Sequence, residues 1–278
     1  MDYMKTKTPT LRYVGAKWQI SDWIISKFPV HKIYVEPYAG SSAVFFRKPK
    51  THLEVLNDMD GDLVNFFRVL RERTTELATA IELTPYSREE YELSLQPCSD
   101  PLERARRFYV AAWQSFGSTL VYRSGWRRMT KSENWKSLTA QFKRMDGVLY
   151  AADRLRDAQI ENKNALDIIT EYDSPDTLFY IDPPYVFSSR SSGARKRYKH
   201  EVDDKHHHNL AATLKNLKGY AILSGYDSDL YNQLYHGWGV DEKSTTTNGN
   251  GQAIEKIWLS PRLTKWLQAN IPQQQTLI

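Results

Sequence analysis

Thr177-Leu178-Phe179-Tyr180-Ile181-Asp182-Pro183-Pro184-Tyr185 is the stretch that decides how this 278-residue chain folds. Its first five residues carry no charge and are β-branched, aromatic or aliphatic, so they read as a strand buried on both faces, the kind a parallel sheet contains. The next four end that strand in a rigid turn. Two prolines fix the backbone and remove two amide donors, which leaves carbonyls free to point into a cleft. Asp182 and the carbonyl of Pro183 offer acceptors for the two hydrogens of a planar exocyclic amine, and Tyr185 offers a ring to stack on the heterocycle that carries it. Adenine, cytosine and a protein amide all fit at this point. The bland alternative is a loop that merely stops the strand.

Working outward, the same strand-turn-helix grammar recurs. Residues 33–36 read as a short buried strand, followed by the small-residue turn Pro37, Tyr38, Ala39, Gly40, Ser41, Ser42 and a helix through Phe46. Residues 53–56 read as a strand ending at Asn57 and Asp58, and 60–71 as a helix with Leu63, Phe66, Phe67 and Leu70 inward. Upstream, Trp18, Ile20, Trp23, Ile24 and Phe28 have the spacing of an amphipathic helix over 15–28, ended by Pro29. From Leu83 the pattern changes to helical stretches near 87–95 and 102–114, then to an aromatic and basic segment without clear period. Strand grammar resumes at Gln159. It continues with a helix over 203–217, a strand over 220–224, a short helix over 228–234, and a hairpin of 240–246 with 253–259 around Asn248-Gly249-Asn250-Gly251. The reading is α/β: a mostly parallel sheet with an antiparallel edge hairpin, residues 1–82 and 159–278 forming the main domain and 83–158 a small, mainly helical insertion.

Composition narrows the function classes. A hydrophobic fraction of 41% supports a folded core. No apolar run approaches the roughly 20 residues of a membrane span, and the N-terminus lacks the order of a secretion signal, so the expected location is cytoplasmic. Cys98 is the only cysteine, which excludes an intrachain disulfide and a cysteine zinc site. His206, His207 and His208 are consecutive on a helix and cannot converge on one ion, so they read as surface or packing residues and no metal is expected. Between Arg104 and Arg144 ten Lys or Arg face one acid, Glu133, and five more basic residues lie between Val186 and His200. The remainder of the chain is net acidic, the asymmetry expected when one face meets a polyanion; a solvated basic face is the plainer alternative.

In open α/β sheets the first small-residue turn approaches a nucleotide-like ligand, and an acid ending the next strand takes its ribose hydroxyls. Gly40 supplies the turn here and Asp58 the acid. Gly40 is the only glycine between Glu36 and Phe46, which favours a cofactor without a pyrophosphate.

Several of these segments, in this order, resemble the Dam-like adenine-specific DNA methyltransferases. Tyr34-Val35-Glu36-Pro37-Tyr38-Ala39-Gly40-Ser41 resembles the family's S-adenosylmethionine motif, with Ser41 or Ser42 where a second glycine is usual. Arg12-Tyr13-Val14-Gly15-Ala16-Lys17 resembles its N-terminal motif, Asn164-Ala165-Leu166-Asp167 the segment whose acid holds the cofactor adenine, and Asp182-Pro183-Pro184-Tyr185 its catalytic loop. Leu223-Ser224-Gly225-Tyr226-Asp227 and Glu255-Lys256-Ile257-Trp258-Leu259 resemble late segments that support the target-base pocket.

The resemblance implies a Rossmann-like S-adenosylmethionine-dependent methyltransferase sheet acting on an adenine amine in duplex DNA, in a prokaryotic or phage-infected cell and without an obligate protein partner. It places Asp182, Pro183, Pro184 and Tyr185 at the chemistry. It places Tyr13, Gly15, Lys17, Glu36, Pro37, Tyr38, Ala39, Gly40, Ser41, Asp58, Asp167 and Asp182 around the cofactor, Lys17 on its carboxylate; for Asp167 a helix N-cap is the simplest alternative. Insertion 83–158 becomes the target-recognition region. In it Tyr122, Arg123, Trp126, Arg127 and Arg128 mix arginine forks with aromatic rings suited to base edges and phosphates, while Phe108, Trp113 and Phe142 read as its core. Arg195, Lys196 and Arg197 become phosphate contacts. An RNA adenine methyltransferase and a catalytically silent nucleic-acid-binding module remain the alternatives.

Overall fold

The computed structural model describes residues 9–13, 15–116, 125–128, 138–186, 199–246 and 252–270. Strands β1 (Ile33–Glu36), β2 (Leu53–Asn57), β3 (Gln159–Glu161), β4 (Thr177–Ile181), β5 (Tyr220–Gly225), β6 (Gly239–Thr246) and β7 (Gln252–Leu259) form one sheet in the order β3-β2-β1-β4-β5-β7-β6. Pairing is parallel from β3 to β5, and β7 and β6 add an antiparallel edge. The chain runs outward from β1 through β2 to β3 and then returns to lay β4 on the other side of β1. That reversal opens a crevice at the carboxyl ends of β1 and β4, where such sheets take their ligands.

Successive strand side chains point to opposite faces, and each face has its own core. Tyr34, Leu56, Leu178, Tyr180 and Ile222 face one side. Val35, Val55, Phe179, Ile181, Ala221 and Leu223 face the other. The first face is covered by α1 (Ser21–Ile25), α2 (Ala43–Arg47), α3 (Gly61–Glu72), α4 (Thr74–Leu83), α6 (Pro101–Gln114), α7 (Met145–Leu155) and α11 (Pro261–Asn270), and the second by α8 (Ala165–Glu171), α9 (Asp204–Lys215) and α10 (Asp229–Leu234). The remaining helix, α5 (Arg88–Ser94), packs on α6. Helix starts follow the capping chemistry: the side chains of Asp60, Ser87, Asp100, Asn164, Asp203 and Ser228 each accept from a first-turn amide.

Three features depart from the sequence reading. The helix expected over 15–28 contracts to α1, because Gly15 takes φ +75° and residues 18–20 form turns. Helices α4, α7 and α11 stand where no element was read. Asp167 lies in the first turn of α8 and is not its cap; Asn164 is, accepting from Leu166 N at 2.9 Å.

Among its described residues the 83–158 segment has no core of its own. Phe108, Tyr109, Phe142, Val148 and Leu155 merge with Phe66, Phe67 and Leu70 of α3 in the cluster that includes Tyr34 and Leu178 of the sheet. A buried charge cluster ties α7 to β2: Glu54 takes both Lys48 and, at 2.7 Å, Arg154, and Arg154 also donates to the Phe45 carbonyl at 3.0 Å. Burial pushes the Lys48 ammonium down to about 8.

Candidate active site

The turn after β1 is built before it is shaped for a ligand. Glu36, 1% exposed, accepts from Tyr34 Oη at 2.7 Å and from Phe45 N, in the first turn of α2, at 2.9 Å. Burial pushes its carboxyl up to about 8, favouring the protonated form, and the two donors make it a hydrogen-bonded strut. Asn57 braces the other side, donating to the Pro37 carbonyl at 2.9 Å while its own carbonyl takes Ala39 N at 2.8 Å. Between these supports the backbone turns left-handed at Gly40, φ +48°, and again at Ser42, φ +50°. Serine at that second position carries strain a glycine would not.

Asp58 stands at the end of β2 and closes the loop. One oxygen accepts from Gly40 N and the other from Asp60 N, both at 2.9 Å. Burial pushes its carboxyl up to about 6 despite those donors.

Above the strand ends lies a cleft of about 480 Å³. Tyr13, Tyr38, Ala39, Gly40, Asp58 and Asp182, all anticipated from sequence, line it together with Pro184. Gly15, Lys17, Glu36 and Ser41 line a narrow recess of about 20 Å³ that also touches Tyr38 and Asp182. Pro37, Pro183 and Tyr185 stand behind these walls, and Asp167 is exposed on α8, where Asn164 and Ala165 reach the cleft instead. The opposite wall was not read from sequence. It consists of Lys199, His200, Glu201, Val202 and His206. Lys199 Nζ bridges Asp60 at 3.0 Å and Asp62 at 2.5 Å, and His206 Nε2 lies 2.6 Å from Tyr38 Oη.

The catalytic-looking turn is held from several sides. Asp182 Oδ2 lies 3.0 Å from Lys17 Nζ, and Oδ1 accepts from Ser224 Oγ at 2.8 Å. Lys17 also donates to the Gly15 carbonyl at 2.7 Å and sits 4.9 Å over the Tyr185 ring. Tyr185 is buried: its hydroxyl donates to Glu255 Oε2 at 3.1 Å, and Tyr226 meets its ring at 4.7 Å, nearly perpendicular. Burial raises the Glu255 carboxyl above its usual range. Lys17 thus pairs with Asp182, which also reaches the open cleft, while the buried Glu255 carboxyl feels the same ammonium electrostatically.

Of the nucleic-acid candidates, Tyr122, Arg123, Arg195, Lys196 and Arg197 lie outside the described residues. Phe116 N donates to the Gly125 carbonyl at 2.9 Å and Arg127 N to the Gln114 carbonyl at 2.7 Å, so 114–116 and 125–127 form an antiparallel root at the end of α6. Trp126 is built into it: its indole donates to Gln114 Oε1 at 3.1 Å and Arg88 covers its ring. Arg127 is half-buried and Arg128 is exposed. Part of the basic density is compensated by acids of the same chain. Arg104 pairs with Asp62, Arg106 with Glu90 and Glu103, Arg107 with Glu103, and Arg144 with Asp146. Phe108, Trp113 and Phe142 are core.

The three histidines diverge. His206 faces the cleft, His207 is buried with Nδ1 at 3.1 Å from Tyr231 Oη, and His208 is exposed. Among the described residues no group of three or more His, Cys, Asp or Glu could hold a metal ion, and no helix is long and apolar enough to cross a membrane.

Compared with known families, residues 13–248 match the D12 class N6 adenine-specific DNA methyltransferases. The chain is 23% identical over 268 residues to the type II methyltransferase M.MjaIII of Methanocaldococcus jannaschii, covering 84% of this chain and 89% of that protein. It is likewise 23% identical over 246 residues to the DNA adenine methylase of Salmonella typhi, covering 84% and 85%.

Proposed function

The chain belongs to the D12 class N6 adenine-specific DNA methyltransferase family, and on that premise we propose that it transfers the methyl group of S-adenosylmethionine to the amine of an adenine flipped out of duplex DNA, with Asp182 at the reacting nitrogen. The observation that carries this reading is the position of Asp182, which both lines the cleft and is held by ordered donors on its buried side.

The cleft suits the cofactor. Its volume lies in the range of small-ligand sites, it sits at the switch point of the sheet, and Asp58 offers a half-buried carboxylate on the cleft wall for ribose hydroxyls. Tyr13, Tyr38, Ala39 and Gly40 would line the nucleoside, and Lys17 would meet its carboxylate, so cofactor and Asp182 share one ammonium. S-adenosylmethionine supplies an electrophilic methyl group when bound. The adenine amine is a weak nucleophile because its lone pair is delocalised into the ring. Asp182 and the Pro183 carbonyl would accept its two hydrogens, favouring a more tetrahedral nitrogen, and the carboxylate would stabilise the positive charge the nitrogen gains. The extra proton then leaves to solvent through the open side of Asp182. Flipping costs a few kcal/mol and is offset where the base is caught by stacking; Tyr185, the ring read for that role from sequence, is buried behind the cleft wall with Lys17 over its ring, so in this arrangement it supports the Asp182 turn.

Segment 83–158 is proposed as the target-recognition part, with Tyr122, Arg123 and Arg128 at the DNA. Residues 195–197 would contact phosphate. The reaction would take place in the cytoplasm of a prokaryotic or phage-infected cell.

The test is methyl transfer from labelled S-adenosylmethionine to duplex DNA and to structured RNA in parallel. Label in duplex DNA is expected; label in RNA alone would replace the proposal with an RNA adenine methyltransferase.

A further inference from the structure

We propose that Ser224 is a positioning residue for methyl transfer, the last link of a hydroxyl relay from Tyr180 that fixes the rotation of the Asp182 carboxylate. The inference rests on the reading of Asp182 given above.

Ser224 lies one residue before the end of β5, beside the β4 strand that leads into Asp182, and is 1% exposed. Its Oγ lies 2.8 Å from Asp182 Oδ1 and 3.1 Å from Tyr180 Oη, and Tyr180 is 3% exposed. The direction of the bonds follows from proton counting. An ionised carboxylate accepts only, and serine has one proton. Ser224 therefore donates to Asp182, and Tyr180 must donate to Ser224. Both hydroxyls point their hydrogens toward the catalytic turn, in a buried setting where such chains reinforce each other.

The consequence is geometric. Lys17 holds Oδ2 and Ser224 holds Oδ1, so the carboxylate plane is set from two directions before any amine arrives. A carboxylate held by one donor alone could rotate, and the acceptor would no longer face the amine hydrogen. The pull from Ser224 bears on orientation at the reacting atom, not on affinity. It should therefore appear in kcat.

The experiment measures steady-state methyl transfer to duplex DNA and, separately, cofactor affinity by calorimetry, for Ser224→Ala, Ser224→Thr, Tyr180→Phe and the Ala/Phe double variant. Asp182→Ala serves as control. Ser224→Ala should lower kcat about 10- to 100-fold, the size of a lost hydrogen bond to a charged group, with cofactor Kd and DNA KM changed less than about 3-fold. Ser224→Thr, which keeps the hydroxyl, should recover most of kcat. Tyr180→Phe should lose less than Ser224→Ala, and the double variant should be no slower than Ser224→Ala, because Tyr180 acts through Ser224. A Ser224→Ala kcat within about 2-fold of the parent overturns the proposal, as does a loss shared equally by cofactor affinity, or a threonine variant as impaired as alanine. An active Asp182→Ala control would instead overturn the underlying reading of Asp182.

Discussion

Replacing Lys17 by methionine keeps the chain length and removes the ammonium, and the structure sets how much that should matter. Lys17 is 4% exposed, and its Nζ lies 3.0 Å from an Asp182 oxygen whose side chain is 20% exposed. At an effective dielectric of ~20 that separation corresponds to about 5.5 kcal/mol of gross attraction, most of it offset by the desolvation of Lys17, which methionine does not suffer. What remains after substitution is a buried-side carboxylate facing Glu255 without its cation. Truncating one partner of a fully buried pair costs about 3–5 kcal/mol. Because Asp182 keeps some contact with water, about 2–3 kcal/mol is expected for Lys17→Met, read by urea unfolding.

The same variant should weaken S-adenosylmethionine binding roughly 10- to 150-fold, the equivalent of one charged hydrogen bond of about 1.5–3 kcal/mol. Combining it with Asp182→Asn, which removes the uncompensated charge, should cost less stability than the two singles added together. A Lys17→Met protein with cofactor affinity unchanged and stability within about 0.5 kcal/mol of the parent would refute both the shared-ammonium reading and the electrostatics behind it.

Cofactor affinity should fall as pH drops through about 6, where Asp58 takes up its proton and can no longer accept from two hydroxyls; an Asp58→Asn variant should bind weakly and show no such inflection in calorimetric titrations. The same raised value means that the folded state holds this proton more tightly than the unfolded chain. The Asp58 contribution to stability is therefore present below the unfolded value of 3.8 and is lost as pH rises through about 6. Glu54→Ala leaves the buried cations Lys48 and Arg154 facing each other and should cost about 3–5 kcal/mol in thermal or urea unfolding; a loss under about 1 kcal/mol would show that the cluster is not coupled as its geometry indicates. Replacing Arg195, Lys196 and Arg197 by alanine should weaken DNA binding across all sequences and flatten the salt slope by about one unit for each phosphate no longer neutralised. An unchanged slope would mean that those side chains do not meet phosphate.

The strands, the turn at Gly40 and the turn at Asp182 were legible because each is decided locally, by apolar runs ending in small or cyclic residues. Asp58 was legible as the acid that ends the strand after the Gly40 turn, and the structure bonds it to Gly40 N. What the sequence hid depends on neighbours far apart in the chain. Ser224 and Asp182 are 42 residues apart and meet only because β5 pairs with β4 in register. Lys199 and His206 close the cleft through bonds to Asp60, Asp62 and Tyr38 that no periodicity announces. Residues 15–20 have helical apolar spacing, yet Lys17 is drawn inward to Gly15 and Asp182, and the helix begins only at Ser21. The density of arginines after residue 104 overstated the exposed positive face, since Arg104, Arg106 and Arg107 answer acids that lie on α3, α5 and their own helix.

The most direct measurement is nucleoside analysis of duplex DNA treated with S-adenosylmethionine and either the parent protein or Asp182→Ala, with cofactor and DNA binding measured on the same preparations. The expected result is N6-methyladenine with the parent and none with the variant, while both bind cofactor and DNA. Methylation by Asp182→Ala at a rate near that of the parent, or a methylated cytosine in place of adenine, would contradict the account.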